Sequence, residues 1–370
     1  MLGGGSQDNG NVFRDSDGTW DRYAQTGDGM GQEIDPTDAG TRYWSYQYGS
    51  MRRWNNGNNT GIAPPNQDGE GAWETPFKLD PNNPNRLLAG YKSVWASDNQ
   101  GNTWTQVGDV LSFSNNLHQI AIAASNSEKI YASRGSSLYE KELGTSAWNF
   151  HTTPSPQRIT DLEVDPENEE VVYICYAGYN DGDKVFRSDD AGETWTNITY
   201  NLPNLPVLSL ELYETVDGGI FVGSYGAVYY KSGTDTVWRA FGCLPQTSVN
   251  DIEIQYFTNK VFIGTYGRGI FEADIEFAPP ASAGSAPALP QELVAFPNPT
   301  TGTATIEYPA SFVVNSVEIY DVMGRTAQAS IRFTDAHALQ VDCSALPSGQ
   351  YFVRLRNHKA EQKICRLSVR

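Results

Sequence analysis

Short apolar runs recur through the first 276 residues, at 42–46, 86–90, 129–133, 171–175, 219–223 and 260–264. Each is about five residues long and continuous rather than alternating, which suits strands buried on both faces. Turn-forming Asp80-Pro81 and Asp165-Pro166 precede two of the runs. Tryptophans mark the period. Trp20, Trp104, Trp148, Trp195 and Trp238 are spaced by 84, 44, 47 and 43 residues. The first interval is close to two periods, so the repeat around 42–46 has lost its marker. Four short strands per roughly 43 residues is the arithmetic of a propeller blade. Six such repeats are visible. The pattern therefore predicts an all-β fold whose first domain, 1–276, is a β-propeller of about six visible blades.

The turn ahead of each tryptophan is itself patterned. Ser97-Asp98-Asn99-Gln100-Gly101-Asn102-Thr103-Trp104 recurs as Ser188-Asp189-Asp190-Ala191-Gly192-Glu193-Thr194-Trp195, and both fit S-x-D/N-x-G-x-T-W. Asp15-Ser16-Asp17-Gly18-Thr19-Trp20 is a shorter form, and degenerate forms end at Trp148 and Trp238. The residues expected to build these boxes are Ser97, Asp98, Gly101, Thr103 and Trp104, then Ser188, Asp189, Gly192, Thr194 and Trp195, and Asp17, Gly18 and Trp20. Asp or Asn accepts backbone N–H bonds in a tight hairpin. Gly allows the positive φ of the turn. Thr favours the returning strand, and Trp fills the seam between blades. These residue types close a turn; none of them requires a substrate.

After Ile275 the rhythm changes. Residues 277–290 are rich in Pro, Ala, Ser and Gly and read as a flexible, semi-extended linker. Beyond it the strands alternate: Val317 and Ile319 share a face, as do Tyr351, Val353 and Leu355, and then Cys365, Leu367 and Val369. Residues 291–370 therefore predict a small antiparallel β-sandwich of about six to seven strands.

Charge divides at the same place. The chain carries a net −18. Residues 1–276 hold 18 Lys and Arg against 37 Asp and Glu, while 291–370 hold 8 against 7. The balance argues against a nucleic-acid phosphate binder. No apolar run approaches the roughly 18 residues of a membrane-spanning helix. Four cysteines are too few for a disulfide scaffold. Cys175, Cys343 and Cys365 read as buried thiols, and a Cys343–Cys365 bridge is left open. Residues 1–10 have neither a basic start nor an apolar core, so no signal peptide is read there. The expectation is that the true N-terminus lies upstream.

The boxes resemble the Asp-box (BNR) repeats of sialidases, of xyloglucan-type glycoside hydrolases and of sortilin-like propellers. The resemblance speaks for the fold and is nearly silent on function. Gly5-Ser6-Gln7-Asp8-Asn9-Gly10 resembles a loop inside such propellers, and Tyr266-Gly267-Arg268-Gly269-Ile270-Phe271 resembles the closing strand of a last blade. At the other end, Phe296-Pro297-Asn298-Pro299, Ile319-Tyr320-Asp321-Val322-Met323-Gly324-Arg325 and Leu346-Pro347-Ser348-Gly349-Gln350-Tyr351-Phe352-Val353 follow in order before a short basic strand. Their order and spacing resemble the type A sorting domain of the type IX secretion system of Bacteroidetes, with Pro297, Asn298, Pro299, Tyr320, Asp321, Gly324, Gly349 and Tyr351 as the motif residues. That resemblance implies export across the outer membrane by the secretion machinery. It also implies cleavage in the linker, and release or anchoring at the cell surface.

Catalytic chemistry is harder to place. Sialidase-like chemistry needs an arginine cluster, and Arg52, Arg53, Arg134, Arg158 and Arg268 have no spacing that assigns one. Asp161 and Asp251 sit at equivalent places, in Ile159-Thr160-Asp161-Leu162-Glu163 and Val249-Asn250-Asp251-Ile252-Glu253. Repetition there argues for a blade position rather than a catalytic pair. His118 and His151 belong to no metal-spaced pair, which speaks against a zinc site or a Ser-His-Asp hydrolase. Asn180-Asp181-Gly182-Asp183 could hold calcium but reads first as an acidic hairpin tip. Trp44, Tyr46, Tyr48, Trp54 and Trp73 could stack on sugars or fill blade seams. No catalytic residue, metal site or cofactor is assigned. A propeller binding polysaccharide or protein is expected, with an Asp-box glycoside hydrolase as the rival and a purely adhesive surface protein as a third possibility.

Overall fold

The computed structural model describes residues 2–15, 18–24, 27–65, 69–111, 115–214, 218–256, 258–275, 293–308, 312–321, 325–335, 338–357 and 362–370. It divides into two compact units, Met1–Ile275 and Glu276–Arg370. The linker at 277–290 lies outside the described residues. No helix among the described residues is long and apolar enough to cross a membrane.

The first unit is a β-propeller of seven antiparallel sheets. Sheet 1 is Leu2–Ser6, Gly10–Arg14 and Trp20–Ala24. Sheets 2 to 6 each have four strands and open with Gly29–Ile34, Phe77–Asp80, Gln119–Ile122, Ile159–Val164 and Val207–Tyr213. Sheet 7 is Val249–Gln255, Lys260–Thr265 and Gly269–Asp274. The apolar runs seen in the sequence are the second strands of sheets 2 to 7. Sheet 1 escaped that reading because its first strand, Leu2-Gly3-Gly4-Gly5-Ser6, has no apolar run. Its glycines are forced by contact: a Cβ on Gly5 would lie 2.1 Å from the Met30 carbonyl oxygen of sheet 2. In sheets 3 to 6 the box turn, intact or degenerate, joins the third strand to the fourth, whereas in sheet 1 it joins the second to the third. Sheet 1 thus corresponds to the last three strands of the repeat.

The apolar core lies at the seams between successive sheets. Leu138 and Tyr131 of sheet 4 pack with Leu162, Ile174 and Phe186 of sheet 5, and Cys175 and Val185 of sheet 5 pack with Leu210, Ile220 and Val222 of sheet 6. Tryptophans pin several seams with a hydrogen bond. The indole Nε1 of Trp104 donates to the Ile62 carbonyl at 2.7 Å, Trp148 to Val107 at 3.1 Å and Trp238 to Ile198 at 2.9 Å. Each acceptor ends the preceding sheet. Sheet 7 meets sheet 1 through an Arg14–Glu272 ion pair at 3.0 Å and through Ile270, which covers Gly4.

The second unit is a sandwich of a four-stranded and a three-stranded sheet. The first is ordered Val294–Phe296, Thr303–Glu307, Ala338–Asp342, Ser330–Asp335, and the second Val314–Asp321, Gly349–Asn357, Gln362–Val369. Ile306, Leu339 and Val341 face Ile319, Val353, Leu355 and Leu367 across its core. Cys343 and Cys365 are both buried there as thiols.

Candidate functional site

The box turns are closed by their own side chains. Ser97 Oγ accepts from the Gly101 N–H at 2.8 Å, and Asn99 Oδ1 accepts from the Thr103 N–H at 2.8 Å. In sheet 5, Ser188 Oγ accepts from Gly192 N at 2.8 Å, and the Asp190 carboxylate takes both the backbone N–H and the hydroxyl of Thr194, at 2.8 and 2.6 Å. The acidic residues named from the sequence need correcting. Asp98 and Asp189 do not close these turns; the next residues, Asn99 and Asp190, do. Two positions after the serine, a short side chain curls back under the turn. One position after, it points out, so Asp98 meets Arg86 and Asp189 meets Arg187, each at 2.8 Å. Gly101 and Gly192 have φ of +83° and +100°, and a Cβ would lie 2.7 Å from Ile62 and 2.8 Å from Leu138 of the preceding sheet. Trp195 packs on the sheet 4–5 core without an indole hydrogen bond. Gly18 has φ +86° and donates to the Asp15 carbonyl, and Trp20 is exposed; Asp17 lies outside the described residues.

In the sandwich, Asn298 holds the last strand from both sides. Its Nδ2 donates to the Arg366 carbonyl and its Oδ1 accepts from Ser368 N, each at 2.8 Å. Pro297 and Pro299 flank it, and Thr300 exchanges backbone bonds with Ser368 and Arg370. Asp321 closes its turn by accepting from Arg325 N and Nε, at 3.0 and 2.8 Å; Gly324, inside that turn, lies outside the described residues. Gly349 starts the central strand of the three-stranded sheet, and the Tyr351 hydroxyl donates to the Pro347 carbonyl at 2.8 Å. Tyr320 lies under the Arg354 guanidinium, which also pairs with Glu318 at 2.7 Å.

The end of the propeller opposite the boxes is built differently. There, turns join second strands to third and lead into the next innermost strand. Tyr48 and Trp73 meet edge to face at 5.3 Å between ring centres, with 47% and 46% of each side chain exposed. A hollow of about 530 Å³ beside Tyr48 is lined by Gly27, Tyr46, Gln47, Ser50 and Glu70. A second, of about 380 Å³, lies beside Trp73 and includes Asn115, Asn116, His118 and Arg134. Of the aromatics singled out earlier, Tyr48 and Trp73 form an exposed ridge and Tyr46 lines a hollow. Trp44 does not belong with them: it is fully buried against Phe13 at the seam of sheets 1 and 2, and Trp54 packs on the same cluster.

The innermost strands carry the other concentration of chemistry. Glu33 of sheet 2, Lys78 of sheet 3, Asp161 and Glu163 of sheet 5, Glu211 of sheet 6, and Asp251 and Glu253 of sheet 7 act electrostatically on one another. Sheets this far apart in the ring share these charges only if the side chains converge on a central tunnel. Water reaches it, since Asp251 and Glu253 are exposed. The surrounding protein is the main cause of raised carboxyl pKa values. Glu33 rises to about 7, and Glu163 and Glu253 to about 8, with neighbouring carboxylates adding to the rise and Lys78 opposing it. Asp161 rises only to about 6, because Leu210 N and Leu162 N donate to its carboxylate at 2.8 and 2.9 Å. Burial pulls Lys78 down, but the carboxylates outweigh it and hold the ammonium above its usual value. Sequence reasoning noticed Asp161 and Asp251 but missed the ring. The available signal was the alternation of acidic with apolar residues in the innermost strands.

The remaining candidates do not gather. Arg53 bonds the box turn of sheet 3 through the Gln100 carbonyl, Arg52 bonds Asn59, and Arg134 bonds the Leu111 carbonyl and the Tyr139 hydroxyl. Arg158 acts on His118 and Glu74, and Arg268 sits in a turn of sheet 7. His151 is buried between Glu140 and Glu193, at 3.8 and 3.6 Å. Asn180-Asp181-Gly182-Asp183 joins the second and third strands of sheet 5. Among the described residues, no three His, Cys, Asp or Glu side chains are grouped to hold a metal ion.

Residues 294–369 match the family model described as the secretion system C-terminal sorting domain. The C-terminal sandwich is a secretion sorting domain. It marks a protein exported by the type IX machinery and placed outside the cell or on the outer-membrane surface. No curated protein matches the chain. The propeller is similar to solved structures at low identity. The GH74 xyloglucanase from Xanthomonas campestris is 13% identical, covering 66% of this chain and 43% of its own, with a TM-score of 0.50. An ancestral GH74 enzyme is 14% identical, covering 98% and 60%, at 0.58. YCF48 bound to D1 peptide is 16% identical, covering 72% and 87%, at 0.53. This chain therefore spans less than two thirds of either GH74 protein. At these identities the likeness shows the propeller fold and nothing about activity.

Proposed function

We propose that the sorting domain delivers a non-catalytic binding propeller of the Asp-box type to the cell surface, where it holds a polysaccharide or protein. One observation carries this reading. Among the described residues, the hollow beside Tyr48 is lined by a single carboxylate, Glu70, and the hollow beside Trp73 by none. Glycoside hydrolysis needs two carboxyl groups flanking the bond. An exposed aromatic ridge between polar hollows suits binding without cleavage.

The rival reading, an Asp-box glycoside hydrolase, draws on the tunnel. There, Glu163 and Glu253 are raised to about 8 while Asp161 is raised only to about 6, a spread of the kind a general acid and its partner need. Incubating the full chain with a polysaccharide panel separates the two. Retention on a polysaccharide gel with no new reducing ends supports binding. Release of reducing ends that Glu163→Gln abolishes supports hydrolysis. No cofactor enters either reading. A calcium role for Asn180-Asp181-Gly182-Asp183 would show as a fall in melting temperature on chelation.

A further inference from the structure

The tyrosine on the exposed ridge is held in an unfavourable backbone conformation. Tyr48 has φ +62°, in the left-handed region that non-glycine residues avoid. The fold fixes it there. Gly49 follows at φ +81°, where a Cβ would lie 2.6 Å from the Tyr91 ring, and the Tyr91 hydroxyl donates to the Gly49 carbonyl at 2.6 Å. Tyr48 N donates to the Trp73 carbonyl at 3.2 Å, and Gly71 N to the Tyr48 carbonyl at 3.1 Å. The surrounding backbone thus holds two aromatic rings half out in water. Gln100 and Ala191 in the box turns share this left-handed backbone at φ +59° and +57°, so what sets Tyr48 apart is that its ring stays half exposed against an equally exposed Trp73.

The groups around the ridge define what it fits. Asn116 lines the hollow beside Trp73, and its amide oxygen is buried with no hydrogen-bond partner. Gln47 and Ser50 add polar edges on the Tyr48 side. Formal charge is scarce. Glu70 is the one carboxylate among the described lining residues, and the Arg134 guanidinium is taken up by the Leu111 carbonyl and the Tyr139 hydroxyl. Partial burial and the nearby Arg158 lower the pKa of His118, which keeps it neutral at pH 7. Residues 1–276 carry 19 more acidic than basic groups, and that field repels polyanions. A ligand with apolar faces, many hydroxyl groups and no charge meets all of these conditions.

We propose that the Tyr48–Trp73 ridge binds an uncharged polysaccharide chain, with sugar rings stacked on the two aromatics and hydroxyl groups bonded in the hollows on either side. The proposal deepens the binding reading and rests on it. The test uses the full chain with cellohexaose, galactomannan and polygalacturonate, followed by tryptophan fluorescence and affinity gels. A neutral glycan is expected to bind. Tyr48→Gly, which suits the local φ, and Trp73→Ala are each expected to weaken it about tenfold. Phe150→Ala removes an exposed ring from the outer strand of sheet 4 and is expected to change nothing. If Tyr48→Gly and Trp73→Ala bind as tightly as the parent, the ridge is not the site. Preference for polygalacturonate overturns the uncharged class and leaves a binding module in place. Reducing ends released from galactomannan overturn the non-catalytic reading beneath the proposal. Melting curves of each variant separate lost binding from lost fold.

Discussion

The two ends of the propeller use similar turn residues for opposite purposes. At the box end, polar side chains are spent inside the turn: Ser188 and Asp190 bond their own loop, and Gly192 lies against Leu138 of the preceding sheet. At the other end two aromatic rings stand half in water, and a buried amide oxygen of Asn116 is left without a partner. Side chains whose bonds are already made hold sheets together, while side chains held out without partners are available to something else. In the turns, the recurring box serves stability, and the irregular turn at Tyr48 presents exposed rings.

The sharpest way to break this comparison is at a box glycine. Gly101→Val combines a left-handed φ with a collision against Ile62 and should cost roughly 2–4 kcal/mol of stability, read by denaturant unfolding. An unchanged midpoint would show that the box is not a structural element. Asp190→Ala should lower the unfolding midpoint by less than Gly101→Val, because it removes the carboxylate that accepts from Ser188 and Thr194. Its neighbour separates the two aspartates: Asp189→Ala breaks an exposed pair with Arg187 and should stay within about 0.5 kcal/mol. Equal losses at 189 and 190 would restore the sequence-based assignment.

The tunnel predicts a pH dependence. Glu163 and Glu253 titrate near 8 when folded, above the ordinary value of 4.5, so the folded chain binds more protons than the unfolded chain between those values. Their contribution is complete below about 4.5 and is lost as pH rises through about 8. Glu140 runs the other way. His151 and Lys129 hold it near 2, so its contribution is present above 4.5 and is lost as pH falls toward 2. The melting temperature should therefore fall from pH 5 to pH 8.5, and Glu163→Gln should flatten that slope. The smallest effect belongs to the ridge. Tyr48→Gly should leave stability within about 1 kcal/mol, because relief of strain offsets the added freedom of the unfolded chain. A large loss there would mean that Tyr48 belongs to the core.

Much of this molecule was legible because its signals are local. Box glycines, a Trp period and alternating strands each reflect a backbone requirement satisfied within a few residues, so they survive in one dimension. The exceptions are informative. The first strand of sheet 1 was invisible because its glycines answer to contacts elsewhere in the ring: Gly3 meets Phe13 and Gln32, Gly4 meets Ile270 of sheet 7, and Gly5 meets Gly29 and Met30 of sheet 2. The sequence left Trp44 open between stacking on a sugar and filling a blade seam, and the fold buries it fully at the seam of sheets 1 and 2. The choice between Asp189 and Asp190 required knowing which side of the turn faces inward.

The sequence alone determined two domains, an all-β repeat, and a sorting domain at the C-terminal end, because periodicity and turn chemistry are properties of neighbouring residues. Only the tertiary structure decided that seven sheets close the ring. It also gathered acidic side chains from sheets 2, 5, 6 and 7 around one tunnel, and brought Tyr48 against Trp73. Those are contacts between residues that the chain keeps apart, and no local pattern records the distance that folding closes.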